Sequence, residues 1–455
     1  MSLRVGIPVV VALTAGPCVS GGVDLGGVTV SLEAYHGPAS VTAEIEAPFR
    51  LRLAVHPAEE KGALAIRVAL PKTGPRAWPA EDVEVRDSRG EAMMVRRAGI
   101  EWSTLVIPVP ATAAAYVVQA VGPAPKRAPG PPDSARVIMD DATGLRLGIA
   151  RWYDGRKAAL SIRFDDSHPT HLTAAAPILR EYGFRGTFMV NPGAAEPGSR
   201  RRSNFAERAS EWAALAQQGD HELANHTAHH RGAKGDEEME AEIGDAARAI
   251  WAMTPGKSKL MALNLGGGTF WETTRTLRYY LDKYHQFDAS GNSTGMDDSY
   301  GDRVGNFRRM LEQHVERGLW LRVHYHYIGE GLSSSEANFR AALDVAKAHR
   351  SALWVAGMAD IHKYQTGRDS ARLTLLGSSA TRLEFRIAPQ TDHELYDHPL
   401  TLEMTRAGAL DATRVAVKDA GGQAVPVRAG DGAGDAVLRF DVAPRESAYS
   451  IEIKP

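Results

Sequence analysis

Apolar and polar positions alternate along this chain in three textures. From Val28 to Val121, short runs such as Val28-Thr-Val-Ser-Leu, Phe49-Arg-Leu-Arg-Leu-Ala-Val and Leu64-Ala-Ile-Arg-Val-Ala-Leu repeat every second residue. That period marks strands with one buried face, and prolines and glycines punctuate them, so a β-sandwich is expected over residues 21–121. From Ala158 the pattern changes. Strands are expected at Ala158–Phe164, Thr187–Asn191, His221–Ala224, Leu260–Leu265, Gln286–Ala289, Trp320–His324 and Leu353–Ala356, with helical repeats between and after them. The clearest helix spans Asp236–Met253, where Met239, Ile243, Ala246 and Ile250 define one apolar face and Glu237, Glu240 and Glu242 fall on others. Gly183 and Gly219 suit helix C-caps. Seven strand–helix pairs imply a parallel sheet covered by helices, open or closed into a barrel. After Thr366 the period of two returns, in Leu383-Glu-Phe-Arg-Ile and Val437-Leu-Arg-Phe-Asp-Val, and a second β-sandwich is expected over 366–455.

Between the first two textures lies Gly122-Pro-Ala-Pro-Lys-Arg-Ala-Pro-Gly-Pro-Pro-Asp-Ser134. Proline fixes φ and removes a donor, so this segment is expected to be a stiff linker over 122–134. A chain of 455 residues has room for two or three domains. Its formal net charge of −2 gives no sign of a nucleic-acid partner, and the run Arg200-Arg201-Arg202 reads as a solvated loop. A single cysteine, Cys18, excludes an internal disulfide and a cysteine-based metal site, so any metal must sit on His, Asp and Glu. The first twenty residues carry one positive charge, a short apolar core and small residues before Ser20. This pattern predicts a secretory signal over 1–20 and a secreted or periplasmic protein; the alternative is a first strand. No apolar run is long enough to span a bilayer, and nothing implies a protein partner.

Three motifs carry chemistry. The expected strand Ala158–Phe164 runs directly into Asp165 and Asp166. Sites in parallel α/β folds lie beyond the strand C-termini, and two adjacent carboxylates are costly unless a cation or a proton neutralises them. Read blandly, the pair caps the next helix. The second motif is Asn225-His226-Thr227-Ala228-His229-His230. On a helical turn His226 and His230 would share a face, and two imidazoles with one carboxylate make a reasonable Zn²⁺ site with a position left for water. His229 would point elsewhere. The third is His324, at the end of the strand Trp320–His324.

Together these residues resemble the polysaccharide deacetylase family, the family-four carbohydrate esterases. Phe164-Asp165-Asp166 is similar to the family's first motif and His226-Thr227-Ala228-His229-His230 to its second. Gly183-Phe-Arg-Gly-Thr-Phe-Met-Val fits the surrounding text, and His324 stands for the last motif. The resemblance covers about Ala158 to Tyr364. It implies an irregular (β/α)7 barrel, placed here at 135–365 between the two β-sandwiches. It also implies a divalent metal, zinc first, on Asp166, His226 and His230, with Asp165 as general base and His324 as general acid. The implied substrate is an acetylated oligo- or polysaccharide, as N-acetyl or O-acetyl ester; a non-catalytic carbohydrate binder on the same barrel is the reading from another class.

The sequence departs from the family in three places. Ser167 replaces a glycine. The family's third motif, with its arginine, corresponds here to Leu263-Asn-Leu-Gly-Gly-Gly-Thr-Phe-Trp271, which has no arginine. Gly267, Gly268 and Thr269 could offer backbone donors there. The fourth motif has only Asp288 and Asp297 as candidates. Arg163 and Arg322 each lie two residues before a proposed catalytic group, so either could replace the missing arginine beside Asp165.

Overall fold

The computed structural model describes residues 22–34, 39–57, 63–99, 102–110, 113–121, 132–193, 204–407, 410–430 and 437–454. The expected signal, most of the linker and Arg200–Arg202 lie outside these residues.

The centre of the molecule is a curled parallel sheet. Its strands are β1 (Ala158–Phe164), β2 (Thr187–Val190), β3 (Glu222–Asn225), β4 (Met261–Leu263), β5 (Gln286–Asp288), β6 (Thr294–Gly295), β7 (Trp320–Tyr325) and β8 (Leu353–Val355). The spatial order is β5-β4-β3-β2-β1-β7-β6, with β8 also paired to β1. All seven strands expected from the pattern are present, and the two-residue β6 is added to them. Every residue of β1 is buried, as befits a strand covered on both faces. Leu160, Ile162 and Phe164 pack under helices, where Phe164 stacks on Phe188 at 5.0 Å. The alternate positions Ser161 and Arg163 face the other way. β1 pairs with β7 in a register that sets Ser161 opposite Arg322 and Arg163 opposite His324. That register aims Arg163 and His324 at the same end of the sheet.

The β regions differ from the expected boundaries. In the N-terminal region a four-stranded sheet and a larger antiparallel sheet share one core, which includes Leu51, Leu53, Ile66, Val68 and Ile107. The larger sheet does not end with this region: Trp271–Thr273 pairs with Val95–Ala98, and Ala233–Lys234 pairs with Trp271–Thr273. The helix that follows therefore starts only at Leu277, behind an N-cap in which Thr276 accepts a hydrogen bond from the Tyr279 N–H. At the other end, the hairpin of Val137–Asp140 and Leu145–Ile149 falls in the stretch expected to open the barrel. It pairs instead with Leu400–Arg406 in a sheet of the C-terminal region. Strand alternation says which residues face a core; it does not say which sheet they join.

The helix over Asp236–Met253 contains one wide turn, Ala241–Asp245. That turn corrects the sequence reading, which put Glu242 on a polar face: Glu242 is fully buried. Wide turns of this kind recur next to functional sites. Among the described residues no helix is long and apolar enough to cross a membrane.

Candidate active site

A cleft of about 500 Å³ opens at the C-terminal end of the parallel sheet. Asp165 and Asp166 follow directly after β1, and Asp165 lines the cleft. The chain turns sharply here: Asp166 has φ 81° and Ser167 φ 52°. Left-handed backbone at non-glycine residues costs of order 1–3 kcal/mol each and persists where the surroundings enforce it. Ser167 holds the turn by accepting a hydrogen bond from the Asn191 N–H at 2.7 Å.

His226 and His230 meet, though not as expected. They sit on an irregular loop after β3 rather than on a helical turn. Thr227 at φ 65° and His230 at φ 52° fold that loop back, and the Thr227 hydroxyl accepts from the His230 N–H at 3.0 Å. The rings pack edge to face at 4.5 Å. His226 Nε2 lies 3.3 Å and His230 Nε2 3.8 Å from Asp166 Oδ1. Among the described residues this is the group of three whose ligand atoms all lie within 4.8 Å of one another. Metal bonds of 2.0–2.2 Å in a tetrahedron put ligand atoms roughly 3.3–3.6 Å apart, so the set fits a zinc-sized cation. The donor chemistry fits as well: His226 Nδ1 is 2.9 Å from the Asn264 carbonyl, which fixes that nitrogen as the donor and leaves Nε2 with its lone pair toward Asp166. Tyr327 donates to the other Asp166 oxygen at 3.1 Å. His229 turns away, as expected, onto buried Glu242 at 2.7 Å.

Asp165 is buried beside this group. Arg163 Nη2 donates to Asp165 Oδ2 at 3.0 Å, and Nε lies 3.0 Å from Oδ1. The second contact is ionic, since Nε and Oδ1 are not aligned for a hydrogen bond. Arg163 Nη1 donates to the Ala289 carbonyl at 2.7 Å, and Asn264 Nδ2 donates to Asp165 Oδ2 at 3.1 Å. Burial pushes the Asp165 carboxyl up. The Arg163 guanidinium, followed by the His226, His324 and His326 rings, outweighs it and holds the group below its usual range. Asp165 is therefore kept ionised. Arg322, the other candidate, stacks on Trp320 at 4.0 Å.

Two histidines of β7 and its exit line the cleft. His324 Nδ1 is 2.7 Å from the Ser293 hydroxyl, and burial lowers its pKa to about 4. His326 is different. Its Nδ1 is 2.6 Å from Asp297 Oδ2, and its N–H donates to Asp297 Oδ1 at 3.1 Å. That hydrogen bond raises its pKa to about 8 against the opposing effect of burial. Sequence reasoning missed His326; the signal was Asp297, singled out without a partner. Asp288 instead accepts from the Ser290 N–H at 2.8 Å.

The glycine loop lines the same cleft through Gly267, Gly268 and Thr269. Its indispensable member is Gly266, at φ 80°, where a Cβ would stand 2.3 Å from His230 Nε2. The N-terminal region reaches the cleft too, through Ala98, Gly99 and Trp102.

Residues 153–283 match the family model for polysaccharide deacetylase. Among curated proteins, a gellan lyase from Bacillus sp. is 19% identical over 291 residues, 56% of this chain. The match spans only 11% of that relative's length. Among solved structures, a family 4 carbohydrate esterase from Streptomyces lividans is 18% identical, with a TM-score of 0.33, covering 45% of this chain and 94% of that one. A chitin deacetylase from Colletotrichum lindemuthianum is 15% identical, with a TM-score of 0.34, covering 47% and 90%. A family 4 pseudoenzyme from Bacillus anthracis is 14% identical, with a TM-score of 0.32, covering 46% and 66%.

Proposed function

We propose that the polysaccharide deacetylase domain to which residues 153–283 belong acts, with the strands that follow it, as a metal-dependent hydrolase removing acetyl groups from a carbohydrate. N-acetyl groups of a polysaccharide are the first choice, and zinc is the first choice of metal. The observation that carries the reading is the meeting of Asp166, His226 and His230 beside a carboxylate kept ionised by Arg163. A merely carbohydrate-binding barrel has no need of a buried, ion-paired base next to a metal-ligand set. The signal-like N-terminus fits a secreted or periplasmic enzyme meeting a polymer outside the cell.

Asp166, His226 and His230 would hold the ion, which when bound supplies Lewis acidity toward the acetyl carbonyl and acidifies water. Asp165 then removes the proton of the attacking water; its partners Arg163 and Asn264 hold the carboxylate in one orientation and keep it deprotonated. The backbone N–H groups of the Gly267–Gly268 loop are the candidates for steadying the oxygen that gains charge. We assign the proton donor to His326 rather than to His324. The Asp297 contact keeps His326 charged near neutral pH, whereas His324 is neutral there. His326 delivers its proton to the leaving amine or alcohol, and Asp297 stabilises the cation until then.

The test is acetate release from chitooligosaccharides and from acetylated xylan. Release from the first establishes an N-deacetylase. Release from xylan alone makes the chain an O-acetyl esterase. Release from neither, with metal bound, leaves the binding reading.

A further inference from the structure

A second cavity, of about 600 Å³, lies beside the catalytic cleft, and Gly268 lines both. The second cavity is built across the junction between the central domain and the N-terminal sheet. Arg96 comes from the N-terminal strand Val95–Ala98, and Phe270 from the glycine loop that borders the metal-ligand set. Phe270 is 57% exposed, so its ring is open to a ligand. Its backbone is nonetheless pinned. The Phe270 carbonyl accepts from the Ala233 N–H at 3.0 Å, and it lies against Gly232 so closely that a Cβ there would stand 2.2 Å from it. The Arg96 guanidinium sits 5.3 Å from the ring centroid. A rigidly held, exposed aromatic ring with a guanidinium over it is a platform for a sugar ring: the C–H face of a pyranose stacks on the exposed aromatic surface, and its hydroxyls take hydrogen bonds from arginine.

Part of the lining of the catalytic cleft also comes from the N-terminal region. Trp102 lines the catalytic cleft with φ 55°, a conformation that a bulky residue adopts only under constraint. It is fully buried, and its indole Nε1 has no hydrogen-bond partner among the described residues.

We propose that the N-terminal β region completes the substrate site, so that a glycan chain runs from the catalytic cleft across Gly268 to a distal sugar-binding position on Phe270 and Arg96. The substrate class is then an oligomer or polymer, with at least one further sugar bound beyond the reacting one. This rests on the deacetylase reading, and binding is the readout that separates the two.

The experiment titrates full-length, zinc-loaded protein with N-acetylglucosamine oligomers of two to six units, and with xylo-oligomers in parallel, by calorimetry. Wild type should bind longer chains progressively tighter in one series. Phe270→Ala should lose about tenfold on the longest chain and little on the dimer, as truncation of an aromatic anchor does. Phe270→Tyr, which keeps the face, should restore the length dependence. Length-independent binding by wild type in both series, or equal loss on dimer and hexamer in Phe270→Ala, overturns the proposal. Length-dependent binding without acetate release keeps it and removes the deacetylase reading instead.

Discussion

Replacing Arg163 by methionine removes a guanidinium while keeping most of the buried stem. The side chains of Arg163 and Asp165 are only 4% and 5% exposed, and their charged atoms approach to 3.0 Å. With charge centres about 4 Å apart and an effective dielectric near 20, their attraction is roughly 4 kcal/mol. Removing one partner strands the other as a buried carboxylate, which costs about 3–5 kcal/mol and is a large part of a typical folding free energy. The Ala289 carbonyl also loses its donor. Two readouts follow. Urea unfolding of metal-free protein at pH 7 should show the unfolding free energy falling by that amount, as a lower midpoint with an unchanged slope. The pH profile should move as well. In wild type the carboxyl is held below its usual range, so the contribution of the pair is present above the unfolded carboxylate pKa and disappears as pH falls through the lower folded value. Without Arg163, burial pushes the carboxyl up against weaker opposition. Asp165 protonates at higher pH, and the acid limb of kcat/KM shifts upward. The double variant Arg163→Met with Asp165→Asn should recover stability but not activity, because no buried charge remains. An Arg163→Met protein with wild-type stability and an unmoved acid limb would refute the argument.

Asp165→Asn should still bind one zinc per chain, measured by elemental analysis, but lose at least about a hundredfold in acetate release, the usual scale for a general base. In metal-free protein, NMR titration should place His326 near 8 and His324 near 4. Asp297→Asn should drop His326 toward the ordinary value near 6.5 and, in the loaded enzyme, pull the alkaline limb of the rate profile to lower pH. Gly266→Ala should abolish zinc binding while largely preserving the circular dichroism spectrum. Its Cβ would collide with His230 Nε2, and its φ of 80° is unfavourable for any side chain.

The parallel sheet was readable because its strands are short, mostly apolar and separated by helices with glycine stops, a pattern that Ala158–Phe164 and Gly183 carry openly. The metal-ligand set was readable from residue types, but the reason given for its geometry was mistaken. His226 and His230 converge through left-handed backbone at Thr227 and His230, not through helical spacing, and no propensity announces φ > 0 at a threonine or histidine. Glu242 was misplaced because one wide turn rotates the helix face, a shift invisible to a 3.6-residue period. Arg163 could be named because residues two apart on a strand share a face. His326 could not, because its role depends on Asp297, twenty-nine residues away in sequence and in contact only after folding. The joining of Trp271–Thr273 to the N-terminal sheet was hidden for the same reason: three residues carry too little pattern to name a partner strand.

The central claim, that Asp166, His226 and His230 bind an ion on which acetyl removal depends, is tested most directly by one reconstitution. Acetate release from an N-acetylglucosamine oligomer is followed for protein as purified, after chelation, and after one equivalent of zinc is restored, with His226→Ala carried through the same steps. The account predicts that release disappears on chelation and returns with zinc in wild type, and that it never appears in His226→Ala. Release that survives complete chelation, or that His226→Ala performs as well as wild type, would contradict it.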